Sequence, residues 1–301
     1  MLELRQIKYF LVLAQELNFS RAAERLFITQ PPLTRQIQQL EEHLGVQLFL
    51  RNNKSVTLTV AGKSFLEEAQ KIMAMVQQSE SRTRLVSEGK IGVLNIGIFG
   101  SAIFNDIPQL LLTFRTHYPE VNIGLYQMSK SEQINALRTK EITIGFNRRL
   151  PVEQDIMVET VYFEPMIVAI HANSELAQYE KIHCKHLQDV PIILYPNATR
   201  PSFADTVIAL LRNNKVDVQY TQEAPDVVTA IALVSSGFGA CIAPESASRI
   251  ELPNVLYRQI DVSPQPTVEL ACLYRRGDDN PILHNFLEII REYSQHKNNA
   301  N

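Results

Sequence analysis

The 301-residue chain has no apolar run approaching the ~18 residues that would cross a bilayer. Met1-Leu2-Glu3-Leu4-Arg5 leads into an amphipathic stretch instead of a signal peptide. No membrane partner is therefore expected, and the cytoplasm is the default compartment. Cysteine is scarce: Cys184, Cys241 and Cys272 are odd in number and widely spaced, which excludes a disulfide framework or a zinc knuckle and argues for a reducing compartment. A redox switch would need a paired, reactive thiol, whereas Cys241 and Cys272 each sit in an apolar strand-like run. His183-Cys184-Lys185-His186 offers three possible ligands in a short connector with no fourth nearby, so no metal is expected. Asp226, Ser235, Ser236 and His284 form no nucleophile motif, and Gly237-Phe238-Gly239-Ala240 is not a phosphate-binding glycine fingerprint. An enzyme is thus the weaker reading, and no cofactor is expected. A solute-binding protein with a fused head is the other rival, and the missing signal peptide counts against it.

Basic excess is missing too, since the net charge is −3, but the sign depends on the segment. Residues 1–58 carry +2 and residues 59–90 carry +1, which leaves −6 on residues 91–301. A mildly basic head on an acidic body fits a protein whose first segment alone meets phosphate.

The head's pattern supports that division. A first helix over 4–17 turns Leu4, Ile7, Phe10, Leu11 and Ala14 inward. Ser20 reads as the N-cap of a second helix, with Ala22, Ala23 and Leu26 on one face. Ile28-Thr29-Gln30 forms a break, and Pro31 and Pro32 suit the first turn of a third helix, where a missing N–H costs nothing. That helix carries the apolar stripe Leu33, Ile37, Leu40 and Leu44 and ends at Gly45. Its other face offers Gln30, Thr34, Arg35, Gln38 and Gln39, side chains able to hydrogen-bond base edges and phosphates of double-stranded DNA. Strands over 46–50 and 55–59 around Arg51-Asn52-Asn53-Lys54 make a wing, placing Arg51 and Lys54 against backbone phosphate.

From Thr59 a long helix is predicted to about Ser87. Ala61, Phe65, Ala69, Ile72, Val76, Ser79, Thr83 and Val86 follow one another at spacings of 4, 4, 3, 4, 3, 4 and 3. This near-heptad seam predicts a homodimer and, with two reading heads, an inverted-repeat operator. The plain alternative is a helix packed on its own body. After Gly89 to Gly92 strands and helices alternate as in a parallel, doubly wound sheet: strands at 93–98, 121–126, 142–146, 166–171, 192–195, 218–221, 240–243 and 268–273. Helices fall at 107–117, 131–137, 203–213, 227–236 and 282–293. Ligands of such sheets bind at strand carboxyl ends beside helix N-termini. Ser101, Thr199 and Arg200 hold such positions, and hydroxyls, a cation and free N–H groups there suit the carboxylate of a small organic acid. Lys130 would add charge and Phe203 an apolar wall. A solvent-facing lysine and a simple helix cap are the plain alternatives for Lys130 and Ser101.

Arg5-Gln6-Ile7-Lys8-Tyr9-Phe10, Phe19 to Leu26, Gln30 to Ile37, Leu40-Glu41-Glu42, Leu44-Gly45, Leu48-Phe49, Arg51 and Leu58 to Gly62 together resemble the LysR-type transcriptional regulators. In the second half, Val234 to Gly239 and Ala243-Pro244 resemble that family's effector domain. The resemblance covers the whole chain. It implies a winged helix-turn-helix head of all-α type (1–58), a linker helix (59–89) and a two-lobed α/β domain like periplasmic binding proteins (90–301). Lobe I would hold about 91–162 and 267–301, and lobe II about 163–266. It further implies a homotetramer, RNA polymerase as a protein partner, and a DNA surface of Ser20, Gln30, Pro31, Pro32, Thr34, Arg35, Gln38, Gln39, Arg51 and Lys54. Gly100-Ser101, Leu125 to Met128, Gly145 to Arg148 and Leu194-Tyr195-Pro196 with Pro201-Ser202-Phe203 are similar to the subgroup controlling benzoate, catechol and muconate breakdown. The effector pocket would then draw on Ser101, Lys130, Phe146, Arg148, Thr199, Arg200, Phe203 and Asp226. Two positions depart from the subgroup: Lys130 replaces a small hydroxyl residue, and Tyr162 replaces an arginine that marks a second, buried site in benzoate-responsive members.

Overall fold

The computed structural model describes residues 2–52, 55–148, 153–196, 201–217 and 220–300; the predicted site residues Lys54, Thr199 and Arg200 lie outside them. The chain forms two compact units, residues 1–85 and 86–301.

In the first unit α1 (Leu4–Glu16), α2 (Phe19–Arg25) and α3 (Gln30–Leu44) bury Ile7, Phe10, Leu13, Ala22, Ala23, Leu33, Ile37 and Leu40 together. Leu4 is exposed, and Leu13 takes the inward place instead. Helix α2 starts two residues earlier than predicted: Asn18 is its N-cap, accepting from the Ser20 and Arg21 amides, so Ser20 is freed for another bond. Gln30 opens α3 instead of lying in the break, Pro31 and Pro32 occupy its first turn, and Gly45 closes it in the left-handed region at φ 70°. Strands β1 (Phe49–Asn52) and β2 (Ser55–Leu58) form the antiparallel wing. The Thr59 hydroxyl accepts from the Gly62 amide and starts α4 (Val60–Ser87).

The α4 seam divides into two parts. Ala61, Phe65, Ala69 and Ile72 pack on the head's own core, with Phe65 edge-on to Phe10 at 4.9 Å. Ser79, Thr83 and Val86 are exposed, and Ile72, Met75, Val76, Ser79 and Thr83 line a shallow apolar groove. The first half of the predicted dimer seam is thus already covered within the chain.

The second unit differs from a parallel, doubly wound sheet. β3 (Ile91–Ile98) pairs in parallel with β4 (Glu120–Gln127) and β5 (Ile144–Asn147), but β12 (Thr267–Arg275) joins β5 antiparallel. The 16-residue β6 (Ile156–His171) pairs with β12 up to Pro165, then with β10 (Cys241–Pro244) and β11 (Val255–Ile260) from Met166 on, all antiparallel. One strand therefore serves two lobes, and the chain crosses between them at β6 and β12. Lobe I packs α5 (Ile107–His117) and α9 (Pro281–Ala300) on the sheet around Phe114, Phe146 and Phe286. α6 (Lys130–Arg138) rests on a smaller cluster with Ile142 and Leu273. Lobe II encloses β8 (Ile192–Leu194), α7 (Phe203–Asn213) and α8 (Val227–Ser235) in its own core, with β9 (Tyr220–Glu223) parallel to β8. The short β7 (Lys181–Ile182) edges β11.

Candidate nucleic-acid interface and effector cleft

In the head, the N-terminal ends of α2 and α3 are tied: the Ser20 hydroxyl donates to Gln30 Oε1 at 3.2 Å. Gln30, Pro31, Pro32, Arg35 and Gln38 are exposed, while Thr34 and Gln39 are half-buried; Thr34 donates back to the Gln30 carbonyl. Most other cations nearby are engaged. Arg21 and Arg25 both reach Glu16, and Arg51 donates to Glu41 at 2.6 Å with its guanidinium 5.2 Å from the Phe19 ring centre. Glu41 also accepts the Leu48 and Phe49 amides at 2.9 and 3.1 Å. Arg51 therefore pins the wing to α3, and a phosphate at that point would share a guanidinium already holding a carboxylate. Arg35 makes no ion pair or hydrogen bond with another described residue, which leaves it the clearest donor on the face of α3.

In the body, a cleft of about 400 Å³ opens where the carboxyl ends of β3, β4 and β5 face the starts of α7 and α8. Five of the predicted residues meet there: Ser101, Lys130, Arg148, Phe203 and Asp226. Phe146 does not. Alternation along β5 sends Ile144 and Phe146 into the lobe I core, with Phe146 edge-on to Phe286 at 6.2 Å, and Asn147 takes the cleft position.

Lobe I supplies Ser101, in the short turn Gly100–Phe104 after β3, and Lys130, the first residue of α6, whose ammonium donates to the Pro201 carbonyl of lobe II at 3.3 Å. The Ser101 hydroxyl bonds to no other described residue. Arg148, almost wholly buried, donates to Glu164 on β6 and to the Glu269 carbonyl, and its guanidinium lies 5.5 Å from the Phe99 ring centre. Glu164 in turn accepts the Ser246 amide of lobe II at 2.8 Å. The positive charge of Arg148 is thereby matched before any ligand arrives.

Three helix starts border the cleft, and each carries its own acceptor. Ser129 caps α6 in a reciprocal box with Glu132, whose carboxyl is held below its usual range by the Ser129 hydroxyl and then the Ser129 amide. The Ser202 amide donates to Asp205 at 2.7 Å at the start of α7. Asp226 accepts the Thr229 amide at 2.8 Å and caps α8. Gln127, Asn147, Tyr195 and Ser202 also line the cleft; they stand in the runs that resemble the subgroup's pocket but outside the set of predicted contact residues, and Phe99, just past the end of β3, is the lining aromatic that the sequence reading did not mention. The metal-like cluster disperses: Cys184 is buried in the core, His183 accepts the Lys185 amide, and His186 stacks on Tyr179 at 4.1 Å. All three cysteines are buried, and burial pushes the thiols of Cys184, Cys241 and Cys272 up, away from the thiolate.

With both sites in view, the comparisons with known proteins decide the family. The bacterial regulatory helix-turn-helix family of lysR proteins matches residues 4–63, and the LysR substrate binding domain matches residues 87–295. The chain belongs to the LysR family of transcriptional regulators. It is a DNA-binding regulator whose head carries the helix-turn-helix and whose body is the effector domain. It is 38% identical to the HTH-type transcriptional regulator ClcR of Pseudomonas putida over 96% of this chain and 98% of that one. Full-length CbnR, solved in complex with its target DNA, superposes with a TM-score of 0.87 at 33% identity, over 97% of this chain and all of that one. The BenM effector binding domain, solved with its effector benzoate, gives 0.63 at 26% identity, over 69% of this chain and 94% of that domain. Among the described residues no helix of this LysR regulator is long and apolar enough to cross a membrane.

Proposed function

We propose that this LysR regulator acts in the cytoplasm by binding, without catalysis. It reads an inverted-repeat operator through Ser20, Gln30, Pro31, Pro32, Thr34, Arg35, Gln38, Gln39 and the wing, and it responds to a small organic acid from aromatic-compound breakdown. The observation that carries the effector reading is the cleft itself, in which an unengaged Ser101 hydroxyl and the Lys130 ammonium border a pocket walled by Phe99, Tyr195 and Phe203. The benzoate named for BenM, a related effector domain, is an acid of that kind. The distal groove of α4 along Met75, Val76, Ser79 and Thr83 supports pairing with a second copy, and a homotetramer would follow from two such pairs.

The DNA surface is tested by gel retardation on an inverted-repeat operator and a scrambled duplex. Arg35→Ala is expected to lose about 10- to 100-fold in affinity for the operator alone, as one good base contact supplies. Lys54→Ala is expected to weaken both duplexes alike and to flatten the salt dependence. Unchanged binding by both variants would refute this interface.

A further inference from the structure

The Ser101 hydroxyl stands on a turn that belongs to lobe I by sequence but is held at its far end by lobe II. At the start of the turn Gly100–Phe104 the Ala102 amide donates to the Phe99 carbonyl at 2.9 Å, and Ala102 itself is buried in the lobe I core. At the end of the turn the Phe104 side chain packs on the lobe II core. Arg249 of lobe II donates to the Phe104 and Asn105 carbonyls at 2.9 Å each and to the Asp106 carboxylate at 2.8 Å. One planar guanidinium thus fixes three consecutive residues of lobe I in a single geometry, which a lysine could not reproduce.

Arg249 closes a second short turn, Glu245–Arg249, which lies against the Ser101 turn and begins beside Pro244 in the lining of the cleft. Near its start the Ser246 amide donates to Glu164, the partner of Arg148 in the lining. Arg249 is not among the residues that line the cleft, so it reaches a ligand only through the backbone it holds. A bound carboxylate gains from the Ser101 hydroxyl within about 2.5–3.0 Å, and a shift of ~0.5 Å in the turn is felt as affinity. The Arg249 side chain is 55% exposed, so water competes for its bonds and the effect is moderate.

We propose that Arg249 is a positioning residue for the effector: from lobe II it fixes the backbone that presents Ser101 in lobe I, and so sets the spacing between the Ser101 hydroxyl and the Pro244 side of the cleft. This rests on the reading of the cleft as a carboxylate sensor.

The test is isothermal titration calorimetry on the full chain with benzoate or cis,cis-muconate, whichever binds wild type more tightly. Arg249→Ala is expected to weaken binding about three- to ten-fold and Arg249→Lys by less. In a Ser101→Ala background the same Arg249→Ala change is expected to cost less than about two-fold, because the group it positions is gone. Tyr293→Phe removes another hydrogen bond to Asp106, from α9 of lobe I, and is expected to lower stability while leaving affinity within about two-fold. Unchanged binding by Arg249→Ala, an equal loss with and without Ser101, or an equal loss in Tyr293→Phe would overturn the proposal and leave the carboxylate cleft standing. If neither acid binds wild type, or Ser101→Ala binds as tightly as wild type, the carboxylate reading fails and the proposal falls with it.

Discussion

Asp106 is the residue whose loss should be felt furthest from its own position. It stands at the start of α5, 8% exposed, and one carboxylate takes Arg249 at 2.8 Å, Tyr293 at 2.7 Å and the Lys297 ammonium, which lies 4.0 Å from the Tyr162 ring centre. Arg249 also donates to the Phe104 and Asn105 carbonyls. A lobe II turn and the end of α9 are thus clamped to one carboxyl of lobe I. Burial pushes that carboxyl up, but the hydrogen bonds from Lys297, Tyr293 and Arg249 outweigh it and bring its pKa to about 2 from 3.8. A shift of nearly two units corresponds to about 2 kcal/mol of folded-state stability. Because the folded pKa is depressed, this contribution is complete above about pH 4 and is lost as pH falls through 2. Asp106→Asn should therefore cost at least about 2 kcal/mol at pH 7, and more if Arg249 and Lys297 are left without a counter-charge. The assay is urea unfolding followed by tyrosine fluorescence: the chain has no tryptophan, and of its 10 tyrosines only Tyr9 lies outside the body. The gap between wild type and variant should shrink to about 1 kcal/mol at pH 3. A gap below about 0.5 kcal/mol at pH 7, or one that does not change on acidification, would refute the reasoning.

Two further outcomes concern the head. A Cβ at Gly62 would stand 2.1 Å from the Leu48 carbonyl oxygen, so Gly62→Ala should destabilise the head by about 1–3 kcal/mol. Operator binding in the cold would survive that change, and an unaltered thermal midpoint for the head would contradict it. Phe27 is 96% exposed and held at φ 58°, a conformation that asparagine tolerates better. Phe27→Asn should raise head stability by about 0.5–1 kcal/mol in chemical denaturation, and a loss would show that the ring is supported by contacts beyond its exposure.

What could be read in the sequence follows from how local each signal is. Pro31, Pro32 and Gly45 mark α3 because their backbone restrictions act where they stand, and the residues 203–213 were bounded correctly by their own apolar spacing. Asn18 was missed as a cap because Ser20 offers the same chemistry two residues later, and only the geometry of the Ser20–Gln30 bond shows which of them is free. The first half of β6 was missed for a different reason. Residues 156–165 carry Glu159 and Glu164 and find their partner in β12, more than a hundred residues on, so no local pattern announces them.

The same limit governs the cleft. Ser101, Lys130, Phe203 and Asp226 are legible as residues beside strand ends and helix starts, but whether a charge is available there depends on contacts that cross lobes. Arg148 looks like a ligand-binding cation until Glu164, from the strand shared by both lobes, is seen against it. Asp226 looks like one more cap until the other helix starts prove equally provided for. Charge that remains after such pairing, rather than charge present in the sequence, determines what the cleft attracts.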